Sequence, residues 1–252
     1  MNSARARMQY DLDVSKAIRA IRAYNASPCA QAGEHLLDVA FCDFRKVLAP
    51  DSVHKQVVLL DSLWGTRLYM ERGASDRIAG NLAARSGKVI RALKSLAKED
   101  LLKHPERVTE VAQQVLPVIL DQAGNDRQKY RKNYSFASKF FHWCTRRHFP
   151  IVDGNARKTI NRWQQQLRAQ PRVRSSTAAM QGLTYVKEYR RWITFYSDLL
   201  WSLDADAFER LRRADHDSQL REYRVKNSLL RILDKVFYVQ GGGSVQGRTV
   251  EA

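Results

Sequence analysis

Apolar residues recur at helical spacing along nearly the whole chain. Between Tyr10 and Tyr24, Leu12, Val14, Ile18 and Ile21 mark one face. Pro28 and Gly33 punctuate an expected loop, after which Leu36, Leu37, Val39, Ala40, Phe41, Phe44 and Val47 mark a second helix. Val53 to Tyr69 is apolar on nearly every side, the mark of a helix in the middle of a domain. A break is expected within it at Trp64-Gly65-Thr66-Arg67. Shorter helices are predicted over 78–84, 87–102 and 109–120. Phe136, Ala137, Phe140, Phe141 and Cys144 give one apolar face to a helix starting at Ser135, and Ala156, Ile160, Trp163 and Leu167 repeat that face on the next. The longest helix is predicted over 177–203, followed by 205–213 and 220–238. No convincing alternating run and no repeat of fixed period interrupts this pattern, so the expected class is all-α.

The expected organisation is two helical subdomains with a cleft between them. Residues 53–150 form the central subdomain with a hairpin. Residues 151–240 form a C-terminal subdomain, against which the helices of 1–52 pack. Residues 1–7 read as a frayed basic arm, and 241–252 as a flexible tail.

The most informative stretch joins the two helices around residue 150. In His148-Phe149-Pro150-Ile151-Val152-Asp153-Gly154-Asn155, Pro150 ends a helix, Gly154 permits a tight backbone, and Asp153 or Asn155 can cap the next helix. Asp153 is then held by its own backbone, close to Arg157 and Lys158. Upstream, residues 123–134 read as a polar loop in which Arg127, Lys129, Arg131 and Lys132 alternate with Tyr130 and Tyr134. Such a loop is placed to hold a phosphate with cations and backbone N–H groups.

Charge narrows the partner. The formal net charge of +17 implies a long acidic partner, and the aromatic content favours nucleic acid over a membrane surface. Cys29, Cys42 and Cys144 form no CxxC pair, and the six histidines show no metal-ligand spacing. No metal and no cofactor are therefore expected, and the thiols read as free and buried. No apolar run is long enough to span a bilayer, and no signal-peptide core opens the chain. The expectation is a cytoplasmic monomer associated with DNA in a prokaryotic nucleoid.

The string from His148 to Lys158, with the helix back to Ser135, resembles the helix-hairpin-helix DNA glycosylase superfamily (HhH-GPD). The likeness is to its adenine-specific branch, whose catalytic loop reads much like HFPILDGNVKR. It covers about thirty residues well. The resemblance implies an N-glycosylase that extrudes a modified or damaged base and leaves an abasic site, with Asp153 catalytic and Asn155 supporting the loop or the sugar. Positions 129–133, where the family's hairpin glycines fall, hold Lys129-Tyr130-Arg131-Lys132-Asn133, so side-chain cations replace backbone contacts. Ser135 stands 18 residues before Asp153, where lyase-active members carry lysine, which implies a monofunctional enzyme; Lys139 lies one turn further on. The family's optional C-terminal four-cysteine cluster is absent. Divergence together with basicity extends the expectation to phage defence, by removal of bulky modified bases such as glucosylated hydroxymethylcytosine.

The chemistry suits these residue types. Breaking an N-glycosidic bond builds positive charge on the sugar, which a nearby carboxylate stabilises while it orients or deprotonates water. The extruded base needs a pocket with aromatic walls. Trp64 and Tyr134 are the favoured wall residues, ahead of Tyr69, Phe140 and Trp143, because each flanks a helix break. Ser135 and Lys139 lie near the same pocket, and Thr66 and Arg67 reach toward the vacated stack. Lys129, Arg131, Lys132, Arg157 and Lys158 contact phosphates. Asp153 also reads simply as an N-cap, and both roles are compatible. His142 and His148 read as structural. The alternative is a non-catalytic DNA-binding protein with a glycosylase-like fold.

Overall fold

The computed structural model describes residues 9–42, 48–64, 68, 72–120, 127–146, 148–168 and 185–243, with backbone alone at 50–51, 127–134, 164–168 and 185–188. Among the described residues the chain is all-helical, with no strand. Its helices are α1 (Val14–Asn25), α2 (Pro28–Phe41), α3 (Pro50–Trp64), α4 (Ala74–Ala84), α5 (Ser86–Lys94), α6 (Asp100–Lys103), α7 (Pro105–Leu120), α8 (Arg127–Cys144), α9 (Gly154–Arg168), α10 (Tyr185–Ser202), α11 (Ala205–Ser218) and α12 (Leu229–Gln240), with a 3₁₀ turn at Arg221–Tyr223.

Local chemistry sets the boundaries, and several differ from the periodicity. Pro28 opens α2 rather than marking a loop: Ser27 accepts the Ala30 N–H at 3.3 Å, and proline at the first helical position loses no hydrogen bond. The expected helix over 87–102 is two helices, because the Asp100 carboxylate takes the Ala97 N–H at 2.7 Å and fixes a turn there. The helix expected over 220–238 begins only at Leu229. The Gln219 side chain pairs with both backbone groups of Val225, at 2.7 and 3.1 Å, and the Ser228 side chain caps the restart. The polar loop expected at 123–134 is already helical from Arg127, since its run of Arg, Gln and Lys favours a helix and holds no glycine after Gly124. Residues 121–126 lie outside the described set.

Two further expectations fail on burial. Helix α3 is not covered on every side, for Val58 and Leu63 are exposed. Cys29 and Cys42 are exposed as well, and only Cys144 is a buried thiol.

A contiguous apolar core runs through the molecule. Helix α1 packs on α11 and α12, and α9 on α12; α3 packs on α4, while α7 contacts α4, α5, α6 and α8. Helix α10 lies against α6 and α7, and its aromatic residues reach α9 and α12. Phe195 and Tyr196 pack on Phe237 of α12, with ring centroids 5.8 and 5.7 Å apart, and Trp163 of α9 packs on Phe237 at 5.4 Å.

The loop between α8 and α9 is fixed almost atom by atom. Arg146, at φ 54°, reverses the chain after α8. His142 Nδ1 and the Phe149 carbonyl lie 2.6 Å apart, the Tyr189 hydroxyl donates to the Pro150 carbonyl at 2.6 Å, and Trp192 Nε1 donates to the Ile151 carbonyl at 2.7 Å. The Val152 N–H donates to Ser138 Oγ at 3.0 Å. Loop backbone buried in this way persists only where such partners exist.

The end of α12 abuts the start of α9. A Cβ placed on Gly241 would lie 2.6 Å from the carbonyl carbon of Asn155, so glycine is needed there for close approach. Gly154 needs no such explanation, since a Cβ there meets nothing within 4 Å. The tight backbone expected at Gly154 therefore belongs to Gly241. Gly241→Ala is expected to destabilise the fold by about 1–3 kcal/mol, measured by urea denaturation, while Gly154→Ala changes stability far less.

Candidate functional site: a cleft with a buried ionic floor

A cleft of about 700 Å³ draws its lining from the two ends and the middle of the chain. Tyr24 comes from α1, Cys29 and Gly33 from α2, Leu63 and Trp64 from the end of α3, Ser135 and Lys139 from α8, Asp153 to Asn155 from the start of α9, and Arg231, Asp234 and Tyr238 from α12. Five of the residues singled out in the sequence, Trp64, Ser135, Lys139, Asp153 and Asn155, meet in this cleft.

Asp153 is an N-cap. Its Oδ1 accepts the Ala156 N–H at 2.7 Å, and its carbonyl accepts the Arg157 N–H at 2.9 Å. Among the described residues its Oδ2 meets no hydrogen-bond donor, and the side chain is half-buried at the cleft wall. The cap fixes the carboxylate's direction and leaves the second oxygen for other chemistry.

Lys139 is nearly buried, with its ammonium donating to the Trp64 carbonyl at 3.3 Å and lying 5.5 Å from the Trp64 ring centroid. Trp64 is the aromatic wall on this side and packs edge-on against the buried Trp143 at 5.6 Å. After Trp64, Asp61 Oδ1 accepts the Leu68 N–H at 2.8 Å and holds the chain beyond the helix end.

The floor is ionic. Arg231 is 2 % exposed, with its guanidinium carbon 4.8 Å from the Trp64 ring centroid and 5.0 Å from that of Tyr24. It donates to Glu34 at 2.5 Å, to the Tyr24 hydroxyl at 2.6 Å, and to Asp234 Oδ2. Beside it Lys235 donates to Asp215 at 2.8 Å and to Asn25 at 2.9 Å, and lies 3.9 Å from Glu34. Asp215 Oδ2 in turn accepts from Gln219 and Asn227, at 2.9 and 2.8 Å. Two cations and three carboxylates thus share a site where none is more than 5 % exposed.

This imbalance falls on Asp234. Among the described residues its Oδ1 is buried with no hydrogen-bond partner. Burial raises its pKa to about 7, against the lowering effect of Arg231 and Lys139, with the negative charges of Asp153 and Glu34 adding to the rise. Burial likewise pushes the Tyr24 and Tyr196 hydroxyls well above their ordinary range. His148 is lowered by burial and by Lys98.

A signal for this floor was present in the sequence. Arg231, Asp234 and Lys235 interrupt the apolar run Leu229–Tyr238, and Arg231 and Asp234 stand three residues apart on one face. Apart from Asp215, their partners Tyr24, Asn25 and Glu34 lie near the other end of the chain, and no spacing rule reaches that far.

Other expectations fall elsewhere. Phe140 and Trp143 are core residues, and His142 is buried against the α8–α9 loop. Arg157 is half-buried and Lys158 exposed on α9, outside the cleft lining. Thr66, Arg67 and Tyr69 lie outside the described residues, as do the side chains of Lys129, Arg131, Lys132 and Tyr134. Among the described residues no group of three or more His, Cys, Asp or Glu side chains is placed to hold a metal ion, and no helix is long and apolar enough to cross a membrane.

Comparison of the chain with protein-family models, with curated proteins and with solved structures finds no match.

The raised Asp234 pKa has a definite sign. The native state keeps a proton that the unfolded chain loses above about pH 4, so this stabilisation is complete below that value and lost as pH rises to about 7. Asp234→Asn keeps the shape and cannot ionise. Between pH 5 and pH 8 its stability relative to the wild type is expected to improve by about 2–3 kcal/mol, as read from urea denaturation at the two pH values.

Proposed function

We propose that this protein is a DNA N-glycosylase, hydrolysing a base–sugar bond through Asp153 in the cleft. The observation that carries the reading is the meeting of Asp153, Asn155, Lys139 and Trp64 around one cavity, from stretches as far apart as α3 and α9. A cavity of about 700 Å³ suits a single extruded nucleotide with a bulky base.

The wall chemistry supports it further: Trp64, only partly buried, offers aromatic surface to the cleft against which a base can pack.

In this reading Asp153 faces the cationic sugar as the base departs, and its Oδ2 orients or deprotonates the attacking water. Asn155 supports the sugar from the first turn of α9. The Lys139 ammonium, tethered to the Trp64 carbonyl, favours the phosphate backbone near the cleft, and Ser135 leaves no lysine at the position of the family's lyase. The protein then works as a monofunctional enzyme and as a monomer in the cytoplasm. The net charge of +17 supplies attraction to DNA, with Arg157 and Lys158 and the basic start of α8 on its path. Phage defence by removal of glucosylated hydroxymethylcytosine remains part of the same proposal.

One observation favours a second reading, a DNA-binding protein without catalysis: the Asp153 Oδ1 is already engaged as a helix cap. Asparagine caps as well as aspartate, so Asp153→Asn separates the two roles without unfolding α9. The test is incubation with oligonucleotides carrying uracil, hypoxanthine, 8-oxoguanine, 7-methylguanine or glucosylated hydroxymethylcytosine, without added metal, followed by alkali to cleave abasic sites. The wild type is expected to yield strand breaks at one or more of these bases. Asp153→Asn is expected to lower the excision rate by about 10²–10⁴-fold while DNA affinity stays within a few fold. Excision by the variant at the wild-type rate would sink the assignment.

A further inference from the structure

We propose that Asp234 is the general acid of the cleft, its carboxyl gripped at Oδ2 by Arg231 while Oδ1 delivers a proton, directly or through one water, to the departing base. This role rests on the glycosylase reading above. Three observations carry it. Asp234 lines the same cavity as Asp153. Its Oδ1 is buried and, among the described residues, has no hydrogen-bond partner, whereas its Oδ2 is held by Arg231. The Asp234 carboxyl is 3 % exposed, so its ionised form is costly while one of its oxygens is unsatisfied.

The groups around Asp234 come from every side of the cleft. Arg231 and Lys235 share its helix; Glu34 of α2, Tyr24 of α1, Lys139 of α8, Asp153 at the start of α9 and Tyr196 of α10 complete the electrostatic surroundings. Arg231 and Lys139 favour the carboxylate, while burial and the charges of Asp153 and Glu34 favour the neutral acid, which wins up to about pH 7. A group that titrates near neutrality donates a proton most effectively there.

The step balances. The neutral Asp234 carboxyl gives its proton to a ring nitrogen or exocyclic oxygen of the extruded base as the C1′–N bond breaks, and the bonding electrons leave with the base. The base departs neutral and the sugar becomes an oxocarbenium ion facing Asp153. Water adds to C1′, its proton passes to the Asp153 carboxylate, and proton exchange through water in the cleft restores both groups. The sum is one water consumed, one free base and one abasic sugar formed.

A base that already carries positive charge needs no such proton, and this separates a catalytic acid from a structural residue. The test compares wild type and Asp234→Asn on oligonucleotides carrying uracil, hypoxanthine, glucosylated hydroxymethylcytosine and 7-methylguanine, in single turnover between pH 5 and pH 9. For neutral bases the wild-type rate is expected to fall above about pH 7, and the variant to be slower by about 10²–10⁴-fold with that alkaline limb gone. Excision of the cationic 7-methylguanine is expected to change by less than about tenfold. Equal losses on neutral and cationic bases, or an unchanged pH profile, would overturn the acid role and leave the glycosylase reading standing. No excision of any of these bases by the wild type would overturn both. Nuclear magnetic resonance of protein carrying ¹³C-labelled aspartate gives a measurement independent of turnover. A carboxyl signal titrating near neutrality and missing from the variant is expected; an Asp234 that remains ionised down to pH 5 overturns the proposal.

Discussion

Burying Arg231 is the constraint around which the molecule closes. A guanidinium at 2 % exposure is tolerable only where its charge and its donors are met. Here Glu34, Asp234 and the Tyr24 hydroxyl meet them, between the faces of Tyr24 and Trp64. Those partners lie on α1, α2, α3 and α12, so satisfying one side chain fixes four helices relative to one another. Replacing such an ion by well-packed apolar residues often costs nothing in stability, which makes the arrangement expensive to keep unless it has a use. It forms the floor of the cleft.

The opposite wall is held by neutral hydrogen bonds instead. Groups from α8 and α10 pair the loop backbone from Phe149 to Val152, and the Asp153 carboxylate caps α9. The wall therefore presents its carboxylate in a fixed direction.

Much of this was legible in the sequence wherever the cause was local. The all-α class followed from apolar spacing, and the cap at Asp153 from the Pro150 and Asp153 pattern beside an apolar helix. Local signals also explain what periodicity misplaced: Ser27 before Pro28, Asp100 after Ala97, and Gln219 before Val225 each redirect a boundary through one side-chain bond. The floor was not legible, because Arg231 meets Glu34 and Tyr24 across 197 and 207 residues of sequence. Apolar interruptions on α12 announce a buried ion pair, but not which distant residues receive it. Gly154 and Gly241 make the same point: the glycine nearest the loop has open space around it, and the one that permits close packing lies 87 positions later in the chain.

The close approach of Gly241 to Asn155 bears on the order in which the cleft comes into being. A chain growing from its N-terminus completes α1, α2 and α3 early, and the loop with Asp153 midway. It then holds an aromatic wall and a carboxylate but no floor. Only when α12 arrives do Arg231 and Asp234 fill the base of the cavity and Gly241 press against the start of α9. Such long-range pairing is late in folding as well as in synthesis. A nascent chain short of its last helix consequently carries most of its positive charge and no finished cleft, so charge and cavity are acquired in sequence rather than together.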